Sequence, residues 1–468
     1  CMDFLTIAKS KQEAYIKDLN TLVEIESVLD TTTKSDYAPF GLNTRKALDA
    51  FLDIAKRDGF DTKDIDGYAG VIEYGKGEET FGILGHLDIV PLGDGWTKDP
   101  LKVTYNDGYI FGRGVMDDKG PTMAAYYALK IIRELNIPLK KRVMLIAGCA
   151  EETSMSCMNY YKEHAEIPQM GFVPDADFPV IYGEKGGLHL ELQSKCNTVL
   201  KKMIAGMAPN IVIEKADAYV DAINEKQKAE FAYYCKANGL QGSIFYEDSM
   251  VRVHMEGKAA HAAMPYLGKN AALHLFNFIG CSYDDAYCKE LYEILHDWMG
   301  IPVGIHVEGT YMSCLTMNVG LVHIENGNQS ITLDIRYPND TDGNTIYETF
   351  NKHLSSLASK MDILCKKDSK PLFVNPDSTL VHSLMNVYQK YTKDMVSQPK
   401  TIGGGTYARK FENFVSFGPE RPMEKLKTDQ YVGGCHQKDE GILLDHLIEA
   451  IAIYADAIVT LCSEYENA

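Results

Sequence analysis

The sequence has no surplus of positive charge. Its 47 lysines and arginines stand against 65 aspartates and glutamates, for a formal net charge of −18. Binding to a polyanion is disfavoured, since nothing offsets phosphate repulsion, and nucleic acid is not expected as a partner. Two short basic runs, Lys140-Lys141-Arg142 and Lys201-Lys202, read as solvated faces or strand flanks. No apolar stretch is long enough to span a bilayer, so no membrane partner is expected. Internal repeats and low-complexity tracts are also missing, which argues against a scaffold. There is no C-x-x-C pair, and the eleven cysteines fall at irregular spacings. That pattern fits reduced thiols rather than a disulfide framework. Cys149 and Cys435 lie beside candidate site residues and read as small packing residues. The opening Cys1-Met2-Asp3-Phe4 lacks a basic stretch followed by an apolar one. No signal peptide is therefore expected there, and the location reads as cytoplasmic.

What is present suits a large globular enzyme. At 468 residues and 45% hydrophobic the chain exceeds a usual single domain, so two domains are the default. The first third alternates helices and strands. Asn43 is placed to cap an amphipathic helix carrying Ala47, Leu48, Phe51, Leu52 and Ala55, ended by Gly59. Phe81–Gly85 reads as a buried strand running into His86, and Val143–Ala147 as a second, followed by Glu151-Glu152. Pro121 fits the first turn of a helix bearing Met123, Ala124, Tyr127, Ala128, Ile131, Ile132 and Leu135. From Gly186 the pattern changes to alternating stretches such as Leu188–Leu192 and Ile331–Ile335, which suggest antiparallel strands with one wet face. Helical segments around Asn270–Phe278 and Thr345–Ala358 lie between them. After Lys370-Pro371-Leu372 the α/β pattern returns and ends in a helix around His446–Leu461. The expected class is α/β: a mixed-sheet catalytic domain with helices on both faces (1–184 and 374–468), interrupted by an inserted α+β lid (185–373).

An ordered set of histidines and carboxylates is the most informative feature. Gly85-His86-Leu87-Asp88 follows an apolar run; Asp117-Asp118-Lys119-Gly120, Glu151-Glu152, Pro174-Asp175-Ala176 and His436 come after it. His86 and Asp88, at i and i+2 on an extended segment, point to one side. His86 can ligate a metal while Asp88 fixes its tautomer. Each motif also has a plainer reading: a hydrogen-bonded core histidine, acids favoured by a helix N-terminus, a solvated acidic turn. Their placement directly after apolar strands is what sets them apart, because bare charge there is costly unless ligated or paired. The set suffices for two divalent ions with one carboxylate left over as a base, and such ions make water nucleophilic near neutral pH.

These segments resemble, in one order, the dinuclear zinc family of aminoacylases, carboxypeptidase G and carnosinase-type dipeptidases, with the closest likeness to bacterial peptidase V. The stretches are GHLDIVPLGDGW from Gly85, FGRGVMDDKGP from Phe111, GCAEET from Gly148, PDADFP from Pro174, GKAAHAAMP from Gly257, DIRYP from Asp334, IGGGTYAR from Ile402 and CHQKDE from Cys435. The resemblance implies that His86 and Asp175 hold one metal, that Glu152 and His436 hold the other, and that Asp117 bridges them. Asp88 would orient His86, and Glu151 would be the general base. His261 in the lid would donate to the oxyanion of the tetrahedral intermediate. Arg336 would bind the substrate's free carboxylate, with Gly404 and Gly405 letting backbone N–H groups approach it. Two departures stand out. Ala150 occupies a place usually held by Asp. Gly206-Met207-Ala208-Pro209-Asn210 replaces a lid stretch whose first residue is Asn and helps to seat substrate.

The implied activity is hydrolysis of a dipeptide with a free N-terminus, by a monomer whose lid closes over the substrate. The cofactor would be two divalent ions, zinc by default, with manganese or cobalt suited to the same ligands. An N-acyl amino acid amidohydrolase of the same family is one alternative. A non-catalytic metal- or peptide-binding protein is another. The remaining histidines and Trp96 read as packing or surface residues.

Overall fold

The computed structural model describes residues 2–247, 249–424 and 426–463. The chain divides into two compact units. Cys1–Tyr182, Val374–Lys400 and Gly405–Ala468 form the first; Gly183–Phe373 and Thr401–Gly404 form the second. The expected α/β class, with an α+β region inserted, is what the fold shows.

The first unit is built on a mixed sheet. Among its nine strands are β1 (Asp61–Ile65), β2 (Ala69–Tyr74), β3 (Thr80–His86), β4 (Arg142–Gly148), β5 (Met170–Val173), β7 (Ile181–Glu184) and β8 (Phe414–Ser416), in the order β1-β2-β4-β3-β5-β8-β7. A separate short pair joins β6 (Ala176–Asp177) to β9 (Pro419–Glu420) in parallel. Strands β4, β3, β5 and β8 run parallel, while β1 and β2 add an antiparallel margin. Every residue of β3 is buried, as a parallel strand covered on both faces requires. The helices used here are α1 (Leu42–Arg57), α2 (Lys119–Glu134), α3 (Thr379–Thr392) and α4 (Leu444–Cys462). Helix α4 packs against α1's neighbour α2 and against α3. Because β3, β4 and β5 are parallel, their C-terminal ends emerge on one edge, where open α/β sheets gather functional groups.

The capping expectation for Asn43 is not met. Helix α1 begins at Leu42, so Asn43 lies in its first turn, and Gly41 precedes the helix with φ +105. A side chain at 41 would also meet the Asp30 carbonyl at 2.7 Å, so the entry turn is set by glycine rather than by a capping side chain. The apolar face of α1 is buried as its periodicity predicts, and Gly59 (φ +80) follows its end.

The second unit holds an eight-stranded antiparallel sheet. Its order is Gln241–Glu247, Met250–Glu256, Lys215–Val220, Lys202–Ala205, Thr316–Glu325, Asn328–Tyr337, Gly186–Ser194 and Asp362–Ser369. Burial alternates along Gly186–Ser194, the pattern of a strand with one packed face. Helices Ala271–Ser282, Ala286–Leu295 and Gly343–Leu354 contribute to the same core.

Candidate metal centre

His86 is the last residue of β3 and is fully buried. Its Nδ1 lies 2.9 Å from the Asp88 backbone carbonyl, with Asp88 Oδ1 further off at 3.4 Å. A neutral ring that donates from Nδ1 leaves its lone pair on Nε2. That atom is 3.0 Å from Asp117 Oδ1 and 3.6 Å from Asp175 Oδ2. His436, half exposed, puts its Nε2 3.0 Å from Asp117 Oδ2 and 3.0 Å from Glu152 Oε2. Asp117 thus turns one oxygen toward each imidazole, as a bridging carboxylate must. The five expected ligands, from four loops and one strand end, meet in one place.

The Asp88 carboxylate has a second role that its sequence position does not signal. Its two oxygens accept the backbone N–H groups of Glu151 and Glu152, each at 3.0 Å, while its own carbonyl steers His86. One residue therefore ties the end of β3 to the turn after β4. The Glu151 side chain makes no hydrogen bond or ion pair among the described residues. Burial, then the neighbouring acids, push its carboxyl up to about 8.

Asp118, which by sequence reads as an acid at a helix start, lies inside the cluster. Its Oδ2 accepts from the His86 N–H at 3.1 Å and from Thr122 Oγ1 at 2.9 Å. It forms a potential ligand group with His86 and Asp175, alongside the group of His86, Asp117 and Glu152. The adjacency of two acids before a glycine-led helix was the available signal.

The donor set fits divalent cations. Asp118 Oδ1 and Glu152 Oε1 are buried with no hydrogen-bond partner among the described residues. Burial drives the Asp118, Asp175 and Glu152 carboxyls upward. Despite its burial His86 is pushed up by hydrogen bonds to Asp117 and Asp88, and His436 reaches about 10 through Asp117 and Glu152. So many acids around two imidazoles are costly to bury unless cations compensate them, and imidazole with carboxylate suits zinc, manganese or cobalt.

The loop before α2 is shaped by glycine. Gly114 has φ +90, and a Cβ on Gly120 would lie 1.9 Å from the Val115 carbonyl. The buried Lys119 ammonium donates to the carbonyls of Leu22 and Ile25 at 2.8 and 2.7 Å.

The other expected residues divide between the units. Gly405 belongs to the first, where a Cβ would meet the Arg409 guanidinium at 2.1 Å, so a side chain there requires Arg409 to move. His261, Arg336 and Gly404 belong to the second. His261 Nδ1 accepts the Ala263 N–H at 3.1 Å, and burial lowers the basicity of the ring. A neutral ring accepting at Nδ1 carries its proton on Nε2, ready to donate. Arg336 already spends one edge on the buried Asp334, through Nε at 2.6 Å and Nη2 at 2.8 Å. Gly206 has φ +94, and a side chain there would strike the Gly320 carbonyl at 1.9 Å. The stretch expected to seat substrate thus opens on backbone that tolerates no side chain at position 206.

A family model described as Peptidase family M20/M25/M40 matches residues 82–460. The protein named "Putative dipeptidase YtjP" from Bacillus subtilis (strain 168) is 37% identical over 468 aligned positions, covering 96% of this chain and 98% of that protein. Among solved structures, the M20 family metallo-carboxypeptidase Sso-CP2 from Sulfolobus solfataricus is similar with TM-score 0.56 at 15% identity, over 95% of this chain and 98% of that one. Human carnosine dipeptidase 1 is similar with TM-score 0.55 at 16% identity, over 97% and 98%. The two structures speak to the fold.

Proposed function

The chain belongs to peptidase family M20/M25/M40, and from that premise we propose that it is a metal-dependent dipeptidase acting on dipeptides with a free N-terminus. The observation that carries this reading is Asp117, with one oxygen 3.0 Å from each of two imidazoles, beside a Glu151 side chain that makes no hydrogen bond or ion pair among the described residues. His86 and Asp175 would hold one ion, Glu152 and His436 the other, with Asp117 shared. Zinc is the first choice, and manganese or cobalt suit the same donors. When bound, such ions polarise a carbonyl and lower the pKa of water toward about 7.

Glu151 takes a proton from the attacking water and returns it to the leaving amine. Asp88 holds Glu151 and Glu152 by their backbone N–H groups while fixing the tautomer of His86. The motif resemblance supports a role for His261 Nε2–H as oxyanion donor. It also supports substrate carboxylate binding by the edge of Arg336 not engaged with Asp334, and by backbone near Gly404 and Gly405. We expect the enzyme to work as a monomer in the cytoplasm.

The test is purified protein with its metal content measured, assayed on a panel of dipeptides and N-acylated amino acids. Dipeptide turnover with two ions per chain is expected. Turnover confined to the N-acylated compounds would overturn the substrate assignment. Light scattering reports the oligomeric state.

A further inference from the structure

The loop carrying His436 also carries Glu440, a fully buried carboxylate to which the chemistry above gives no part. Its Oε1 accepts three backbone N–H groups of the loop that bears Asp117: Gly114 at 3.0 Å, Met116 at 3.0 Å and Asp117 itself at 3.1 Å. Its Oε2 accepts Arg113 Nη1 at 2.7 Å. Arg113 is buried too; it donates to the Gln437 carbonyl at 3.2 Å and the Leu92 carbonyl at 3.1 Å, with its guanidinium 5.0 Å over the Trp96 ring. A carboxylate that gathers several amide N–H groups and a guanidinium is held by charge-assisted bonds, the strong kind.

The two ion sites differ in what supports them. His86 sits in the hydrogen-bonded ladder of β3, and Asp175 follows β5 with one residue between. Asp117 and His436 both lie on irregular backbone, and His436 has φ +62, a conformation a non-glycine residue keeps only when its surroundings enforce it. We propose that Glu440 is the positioning residue of the second ion site: it fastens the His436 loop to the Asp117 loop and so holds two of that ion's three ligands, His436 and the shared Asp117, at their separation. This rests on the dinuclear reading above.

The test is ion binding by the full chain, stripped of metal and titrated calorimetrically with Zn²⁺ or Co²⁺, with thermal midpoint recorded in parallel. Wild type takes up two ions. Glu440→Gln keeps the shape but sets an amide N–H against Arg113. It should weaken the second ion about 10–100-fold and leave the first within about 3-fold, the usual scale for a group that orients a ligand. Asp439→Asn is the control. Asp439 holds Thr97 and Lys98 from the same loop without touching the Asp117 segment, so both ions should stay near wild-type affinity. If Glu440→Gln does not fold, Arg113→Lys, which keeps the charge and loses the fork, should show the same selective weakening.

The proposal is overturned if the second ion binds Glu440→Gln as it binds wild type. It is also overturned if both ions weaken equally, or if Asp439→Asn weakens the second ion as much. Wild type that binds two ions alongside an unaffected variant would sink only the clamp. Wild type that binds none would sink the dinuclear reading with it.

Discussion

At the scale of single residues, the division of labour between adjacent acids is the central point. Glu151 and Glu152 are neighbours in the chain, yet one side chain pairs with His436 and the other makes no hydrogen bond or ion pair among the described residues. Replacing Glu151 by Ala should cut kcat by about 10²–10⁴-fold while elemental analysis still finds two ions, the scale of a lost general base. Activity surviving that change would remove Glu151 from the role. Asp88→Asn tests a different link. The amide offers an N–H where Glu151 or Glu152 now donates, so kcat should fall about 10–100-fold, with the Glu151 side chain itself intact. A kcat equal to wild type would show that the two backbone bonds do not matter to the base. The sequence made His86, Asp117, Glu151, Glu152, Asp175 and His436 legible because each sits where an apolar strand ends or in a motif of fixed order. It gave no hint that Asp88 reaches the backbone of the Glu151 turn, since that bond joins residues 63 positions apart.

At the scale of elements, the start of α2 is one of the tight places in the first unit. Gly120→Ala forces a Cβ onto the Val115 carbonyl and should destabilise by about 1–3 kcal/mol in a urea titration, the usual cost of overpacking. Gly404→Ala is the contrast. Its Cβ would meet nothing nearer than 4.0 Å, so stability should change by no more than about 0.5 kcal/mol. The end of α1 carries an acid-labile junction. Burial alone would raise the Asp58 carboxyl, but hydrogen bonds from Arg57, Lys130 and Tyr126 hold it well below the usual range. A carboxyl lowered by folding contributes stability that is complete above its unfolded pKa of about 3.9, and that contribution fades as pH falls through the folded value. Denaturation midpoints should therefore drop below about pH 4, and Asp58→Asn should flatten that acid limb. An unchanged limb would show the junction to be neutral. Elements were read well where periodicity was strong, as in α1, β3 and β4. Asn43 was misread because the turn before α1 is made by Gly41 through its backbone, which leaves no side-chain signature.

At the scale of the whole molecule, the acidic balance and the metal centre bear on stability together. The cluster gathers carboxylates in a chain already at −18, so cations that bind only the folded state should stabilise it strongly. Ions at about 100 times their dissociation constant add about 2.7 kcal/mol for each site. Chelation should lower the thermal midpoint, and either zinc or manganese should restore it. A midpoint indifferent to chelator would count against ions at this site.

The sequence by itself determined the fold class, the family likeness and the order of the candidate ligands, because strand periodicity and short motifs are local properties of the chain. Only the tertiary structure decided that Asp117 faces two imidazoles at once, that Asp118 joins the cluster, and that Asp88 and Glu440 accept backbone N–H groups of neighbouring segments. Those arrangements are contacts between segments remote along the chain. A carboxylate's role there depends on which donors the fold brings to it, and residue type alone does not specify that.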